Sequence, residues 1–333
     1  MYLPISGHPL HTRSITVSLI WTPQERWRLR GEIIDLRKSG LAPMSFSLQP
    51  PGIIHHMRLE IDVSAGSHVI ESVQSSQDVV AFEPTKHSAG ESCRDPLGNL
   101  DALLGVRIDA DFNRKLSQTF GGPRGCSHLL TLFHYVASVI PRALEFELGY
   151  AAERSPNEFA FHSNMTLDGF QPAHQKIELA VQINDVYLKP EGKAGGDIER
   201  LALENGLRFY TSVDTQNLKM REVLAAVRRR DADTMLAAWR TRNDWASELL
   251  DTPILPGLAG RAREVCRDHS DRLLLLEALL QLAPGYIQVA GALAEQWIVR
   301  IRNGMDDPGD RPLAGAENSC YMWRSGGALT RND

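Results

Sequence analysis

Ile53-Ile54-His55-His56-Met57-Arg58-Leu59-Glu60-Ile61-Asp62-Val63 is the stretch that decides the fold. Side chains of an extended chain point alternately to its two sides. Ile53, His55, Met57, Leu59 and Ile61 therefore share one face, and His56, Arg58, Glu60 and Asp62 share the other. One face is apolar and the other is wet, the pattern of an antiparallel sheet covered on one side. His55 is the single polar member of the apolar stripe. Such a residue is either a hydrogen-bonded core histidine or part of a pocket wall.

Working outward toward the N-terminus, residues 13–38 alternate in the same way. Ile15, Val17 and Leu19 fall on one face, Trp27, Leu29 and Gly31 precede Ile33-Ile34, and Thr22-Pro23-Gln24-Glu25 is a turn, so this segment reads as a hairpin. Toward the C-terminus, Val69 to Phe82 reads as a further strand and Cys93-Arg94-Asp95-Pro96 opens a helical stretch. Phe112, Leu116 and Phe120 then recur at helical spacing. Gly121-Gly122-Pro123-Arg124-Gly125 breaks that helix, and Cys126-Ser127-His128-Leu129-Leu130 begins a second one running to about Leu148.

Composition shifts near Gly149-Tyr150. Residues 151–174 are loop-rich, Ile177, Leu179, Val181 and Ile183 alternate as one strand, and from about Ile198 to Ile301 the pattern reads as helical. Met220, Val223, Leu224 and Val227 form one stripe of that kind. No internal repeat is visible. The expected class is α+β: a mostly antiparallel, curved sheet with flanking helices, plus an inserted, mostly helical subdomain over residues 150–310. That subdomain is expected to cover a pocket or to form a homodimer interface.

With 333 residues, 43% hydrophobic and 23% charged, the chain has room for two domains. A net charge of −5 gives no electrostatic reason to expect nucleic acid as a partner. Four scattered cysteines are not a secreted disulfide framework. No run approaches the roughly 20 apolar residues of a membrane span, and Met1-Tyr2-Leu3-Pro4-Ile5 lacks a signal-peptide pattern. The expected compartment is the cytoplasm, with reduced thiols and no membrane partner. Walker, Rossmann and nucleophile-elbow motifs are all missing, which removes the usual support for phosphoryl transfer, dinucleotide use and α/β-hydrolase chemistry.

The candidate chemistry converges on four residues from separate stretches. His128 follows the glycine loop in a first helical turn, where the helix dipole keeps an imidazole neutral and suited to general-base work near pH 7. Cys126 stands at the same helix N-terminus, which favours the thiolate. His55 is the partner for a Cys–His dyad. With Cys320 the same residues, His55, Cys126 and His128, make a four-ligand zinc set, although no CxxC or HExxH spacing supports it. Against all of these stands ordinary burial, since Cys is among the residue types most often found inside. For an aromatic ligand, Arg58 and Arg124 are the candidate cations, and Tyr135 and Trp323 the candidate stacking rings.

Arg13-Ser14-Ile15, Ile54-His55-x-Met57, Cys93, Leu104-Gly105-x-x-Ile108, Phe112-Asn113-Arg114, Gly121-Gly122-x-x-Gly125-Cys126-Ser127-His128-Leu129 and Ser319-Cys320-Tyr321-x-Trp323-Arg324-x-Gly326 together resemble the bacterial DUF2889 family. The resemblance covers residues 11–148 and 316–328 and implies an α+β core there. The family as such implies no activity. Its association with lignin-dimer catabolism, resting on family and pathway rather than on a motif, implies a formaldehyde-releasing lyase of phenylcoumarans. The expected function is thus a cofactor-independent lyase that cleaves a C–C bond of a lignin-derived aromatic through a quinone methide. The competing expectation is a metal-binding or partner-binding accessory protein without catalytic activity.

Overall fold

The structure, a computed structural model, describes residues 2–44, 47–109, 111–267, 269–305 and 317–330. Its first part comprises β1 (His8–Trp21), β2 (Arg26–Arg37), β3 (Ala42–Met44), β4 (Ser47–Gln49), β5 (Gly52–Ser64), β6 (Ile70–Val79), α1 (Phe112–Phe120) and α2 (Ser127–Glu147). Its second part comprises β7 (Phe159–Ala173), β8 (Lys176–Leu188), β9 (Leu201–Asp214), β10 (Met220–Arg230), β11 (Arg240–Thr241), α3 (Asn243–Ser247), α4 (Leu258–Cys266), α5 (Leu273–Ala292) and α6 (Ala294–Arg302). Among the described residues, nine strands form one sheet in the order β11-β10-β9-β8-β7-β1-β2-β5-β6, with β3 and β4 as a separate ribbon. Every pairing is antiparallel. The protein is α+β, as expected.

One face of the sheet carries the core and the other a lattice of cross-strand ion pairs. Inward residues of β1 and β2, such as Ile15, Val17, Leu19, Leu29 and Ile33, are sealed from solvent beneath the long helices α2 and α5. Leu129, Leu132, Phe133, Val136, Val139 and Ile140 of α2 are fully buried. Each contributes roughly 1.5–3 kcal/mol of apolar burial. Helix α5 lies close to β7 because Gly169 has no side chain: a Cβ there would stand 2.2 Å from Val289. On the outer face Arg28 pairs with Asp62, and Arg30 with Glu60.

The expected helical subdomain over 150–310 is half strand. Strands β7 to β10 extend the same sheet, and the helices of that region begin only after residue 242. The misleading stripe was Met220, Val223, Leu224 and Val227. A register shift between Met220 and Glu222 puts both Met220 and Val223 inward, which imitates helical spacing on a strand. Helices Ser127–Glu147 and Ser270–Ala292 are long and apolar enough to span a bilayer, contrary to the sequence expectation; here both pack on the sheet.

The chain also repeats itself, which the sequence did not reveal. Arg13, Asp35 and His55 lie side by side on β1, β2 and β5, while Ser163, Asp185 and Asn205, each 150 positions further on, lie side by side on β7, β8 and β9. The following turns match as well: Ser64 N–H donates to the Val69 carbonyl and Asp214 N–H to the Lys219 carbonyl. Ile15 pairs with Met165, its own counterpart, so a pseudo-twofold axis passes through that pair. The halves share strand lengths and turn positions rather than residues, which leaves little for the eye to align.

Candidate active site

Strand alternation builds the site. On β2 the inward series Trp27, Leu29, Gly31, Ile33 continues to Asp35 and Arg37, so a carboxylate and a guanidinium enter the apolar side. On β5 the ladder gains one residue between the Asp35–His55 and Leu36–Ile53 pairs. This bulge turns Ile54 inward and leaves Ile53 half-exposed, correcting its expected place on the buried stripe, and it aims His55 beside Asp35. His128 descends from the first turn of α2, and Gln288 reaches across from α5.

The glycine loop sets where α2 begins. Gly122 has φ +58°, and a Cβ on Gly125 would stand 2.3 Å from the Phe120 carbonyl oxygen. The Gly125 carbonyl accepts from Tyr321 N–H at 2.9 Å, pinning the C-terminal segment beside the loop.

Asp35 is the centre. Arg13 Nε donates to its Oδ1 at 2.9 Å and Arg13 Nη2 to its Oδ2 at 3.0 Å, while His11 Nε2 stands 2.9 Å from Oδ1. His128 Nε2 lies 3.4 Å and His55 Nδ1 3.7 Å from Oδ2. The His55 and His128 rings stack with centroids 3.6 Å apart, and His128 Nε2 is 3.1 Å from Gln288 Nε2. As placed, the Gln288 amide N–H donates to His128 Nε2; were the amide turned, its oxygen would accept from a His128 Nε2–H instead.

Burial opposes a charge on Asp35, but the Arg13 guanidinium and the His11 hydrogen bond hold its carboxyl well below the usual range. Burial pushes His55 down to about 4, with Asp35 only partly offsetting it. His128 is lowered by burial and by the neighbouring His55. Both imidazoles are therefore neutral near pH 7. Burial also pushes the Cys126 thiol up to about 11, although the N–H groups of His128 and Leu129 pull the other way. The expected thiolate at Cys126 is thus reversed: the helix terminus loses to desolvation.

These groups open onto a cavity of about 290 Å³. The structure brings His55, Cys126, His128, Cys320 and Trp323 to its wall, together with Cys93, Met322 and Pro284, and residues of α5 close one side. Three expected ligand contacts lie elsewhere. Arg58 is on the outer face, 57% exposed and paired with Glu32 and Asp78, because it follows the wet register of β5. Arg124 is exposed and donates to the Ser117 carbonyl at 3.1 Å. Tyr135 is sealed in the core, its hydroxyl 2.8 Å from Ser163 Oγ.

Asp35, His55 and His128 offer ligand atoms within 4.8 Å of one another, a grouping that includes neither Cys126 nor Cys320 of the expected zinc set. These residues fit a metal poorly. Both oxygens of Asp35 already hold Arg13, and stacked imidazoles do not point their in-plane lone pairs at one centre. Sequence reasoning missed His11, Asp35, Arg37 and Gln288. The signal for Asp35 and Arg37 was present in the alternation of β2; a glutamine on an apolar helix carries none.

In the second half the same place is filled. Arg142 of α2 donates through Nε to Asp185 Oδ2 at 3.1 Å and through Nη2 to Glu277 Oε2 at 3.1 Å. One half thus has a cavity where the other has a buried ion-pair plug.

Residues 11–141 match the family described as "Protein of unknown function (DUF2889)". No curated protein and no solved structure matches the chain. The matched segment contains Arg13, Asp35, Arg37, His55, Cys126 and His128; Gln288, Cys320 and Trp323 come from outside it.

Proposed function

Taking the chain as a member of the DUF2889 family through residues 11–141, we propose that the cavity is the active site of a cofactor-independent, cytoplasmic lyase. It acts by general acid–base chemistry on a small lignin-derived aromatic molecule. The observation that carries this reading is the pair of neutral imidazoles, His55 and His128, backed by one buried carboxylate and facing a cavity with largely apolar walls. A cavity of about 290 Å³ is roughly twice the ~150 Å³ that takes a benzene molecule, which suits one ring with a side chain.

In the proposed reaction the substrate carries a para-hydroxyphenyl group, a benzylic oxygen and a primary alcohol. An imidazole takes the phenol proton and returns it to the departing benzylic oxygen, leaving a quinone methide. His128 then takes the proton of the primary alcohol. The C–C bond breaks, its electron pair restores the aromatic phenolate, and the carbinol carbon leaves as formaldehyde. Asp35 steadies the imidazolium that forms, and the apolar walls keep water from adding to the quinone methide. His128→Gln should lower formaldehyde release about 100-fold or more. No formaldehyde from such a diol, under any metal condition, contradicts the reading.

The competing reading, a metal-binding or partner-binding accessory protein, gains little from Asp35, His55 and His128, whose arrangement fits a metal poorly. Metal analysis of protein purified without a His-tag separates the two: stoichiometric zinc that is lost in His128→Gln supports the accessory protein.

A further inference from the structure

Arg37 is the charge that the site leaves over. Arg13 and Arg37 both line the cavity, 1% and 3% exposed, and Asp35 is the carboxylate between them. Arg13 engages both oxygens of Asp35. Arg37, on the same inward face of β2, donates through Nη1 to the Gln49 main-chain oxygen at 3.2 Å. Its Nε is buried with no hydrogen-bond partner among the described residues, and so is Nη1 of Arg13. Among the described residues no carboxylate lies within ion-pair distance of Arg37, and burial lowers its pKa, an effect that the more distant Asp35 charge offsets only in part. A buried guanidinium without a counter-ion is costly to keep. A neutral ligand in this apolar cavity would leave that cost standing, whereas an anion would remove it.

We infer that Arg37, together with the free Nη1 of Arg13, is the seat of a ligand anion, so that the molecules this cavity takes carry a carboxylate or a phenolate on an apolar body. The planar fork of a guanidinium suits either oxygen anion. The inference rests on reading the cavity as a small-molecule site, but not on the lyase reaction. An anion seated there also stands near His55 and His128, where its field draws a proton onto the imidazoles. Binding of an anion and uptake of a proton are then linked.

The test is calorimetric titration of the purified full chain with benzoate, phenylacetate, hexanoate and 4-nitrophenolate, against benzamide and benzyl alcohol as uncharged partners. No turnover is read, so failure of the lyase reaction leaves the result intact. The anions should bind at least about tenfold tighter than the uncharged compounds. Arg37→Met should erase that preference while leaving benzamide binding within about twofold. Arg37→Lys should keep part of it, and Arg58→Met, on the outer face, should keep all of it. Tighter binding by the carboxylates or by 4-nitrophenolate identifies which anion the seat prefers. Equal affinity of the wild type for benzoate and benzamide overturns the inference, as does a preference that survives in Arg37→Met. Failure of every anion in the panel to bind overturns it too.

Discussion

His55 reports the electrostatics of the site through stability. Its folded-state pKa is about 4 against an ordinary 6.5. Below pH 6.5 the unfolded chain takes up a proton that the folded site refuses until about pH 4, so acid in that window favours unfolding. Over the whole window the effect is about 3 kcal/mol, and the lowering of His128 acts in the same direction. Denaturant titrations at about pH 7.5 and about pH 5 should show about 2 kcal/mol of this loss. His55→Asn should flatten the slope and lose little stability at neutral pH, because Asn205 occupies the corresponding place beside Asp185 in the other half. An unchanged slope in that variant would count against a buried neutral His55. His55 stood out in the sequence because it interrupts an apolar stripe, and His128 because it follows the glycine loop in a first helical turn. Arg58 misled for the same reason inverted: its register is the wet one, and a long cation is attractive on paper wherever it lies.

Among the elements, the glycine loop carries the clearest consequence. A methyl on Gly125 cannot coexist with the Phe120 carbonyl 2.3 Å away. Gly125→Ala should cost about 1–3 kcal/mol and displace the first turn of α2, on which His128 stands. Thermal denaturation reads the cost, and weakened ligand binding beyond the stability loss reads the displacement. A variant with wild-type stability would show that the loop is not the hinge of the site. Strands β1, β2 and β8 and helices α1 and α2 were legible because their apolar spacing is uninterrupted, and β5 because only His55 breaks its stripe before the bulge. Strands β9 and β10 were not: Leu207, Phe209 and Val213 alternate, but Glu204, Asn205 and Gly206 precede them, and the shift after Met220 breaks the period.

At the scale of the whole molecule, two similar halves share one sheet and have diverged at one place. The first half keeps an open cavity over Asp35; the second fills the place over Asp185 with Arg142 and Glu277. Each long helix serves the opposite half as well as its own, since α5 gives Gln288 to the cavity and α2 gives Arg142 to the plug. Pairing of this kind between the halves is invisible in a sequence read segment by segment, because Gln288 lies 160 residues from His128 and Arg142 lies 135 from Glu277, with no shared motif. The account depends on burial, helped by the Arg13 charge, holding a stacked imidazole pair neutral against the pull of Asp35 until a ligand anion arrives. Nitrogen NMR of the imidazoles, followed from about pH 7.5 to about pH 5 with and without benzoate, tests this most directly. The expected result is that His55 and His128 stay unprotonated throughout in the free protein and that one of them gains a proton when benzoate binds. Ordinary titration of both near pH 6.5, unmoved by benzoate, would contradict it.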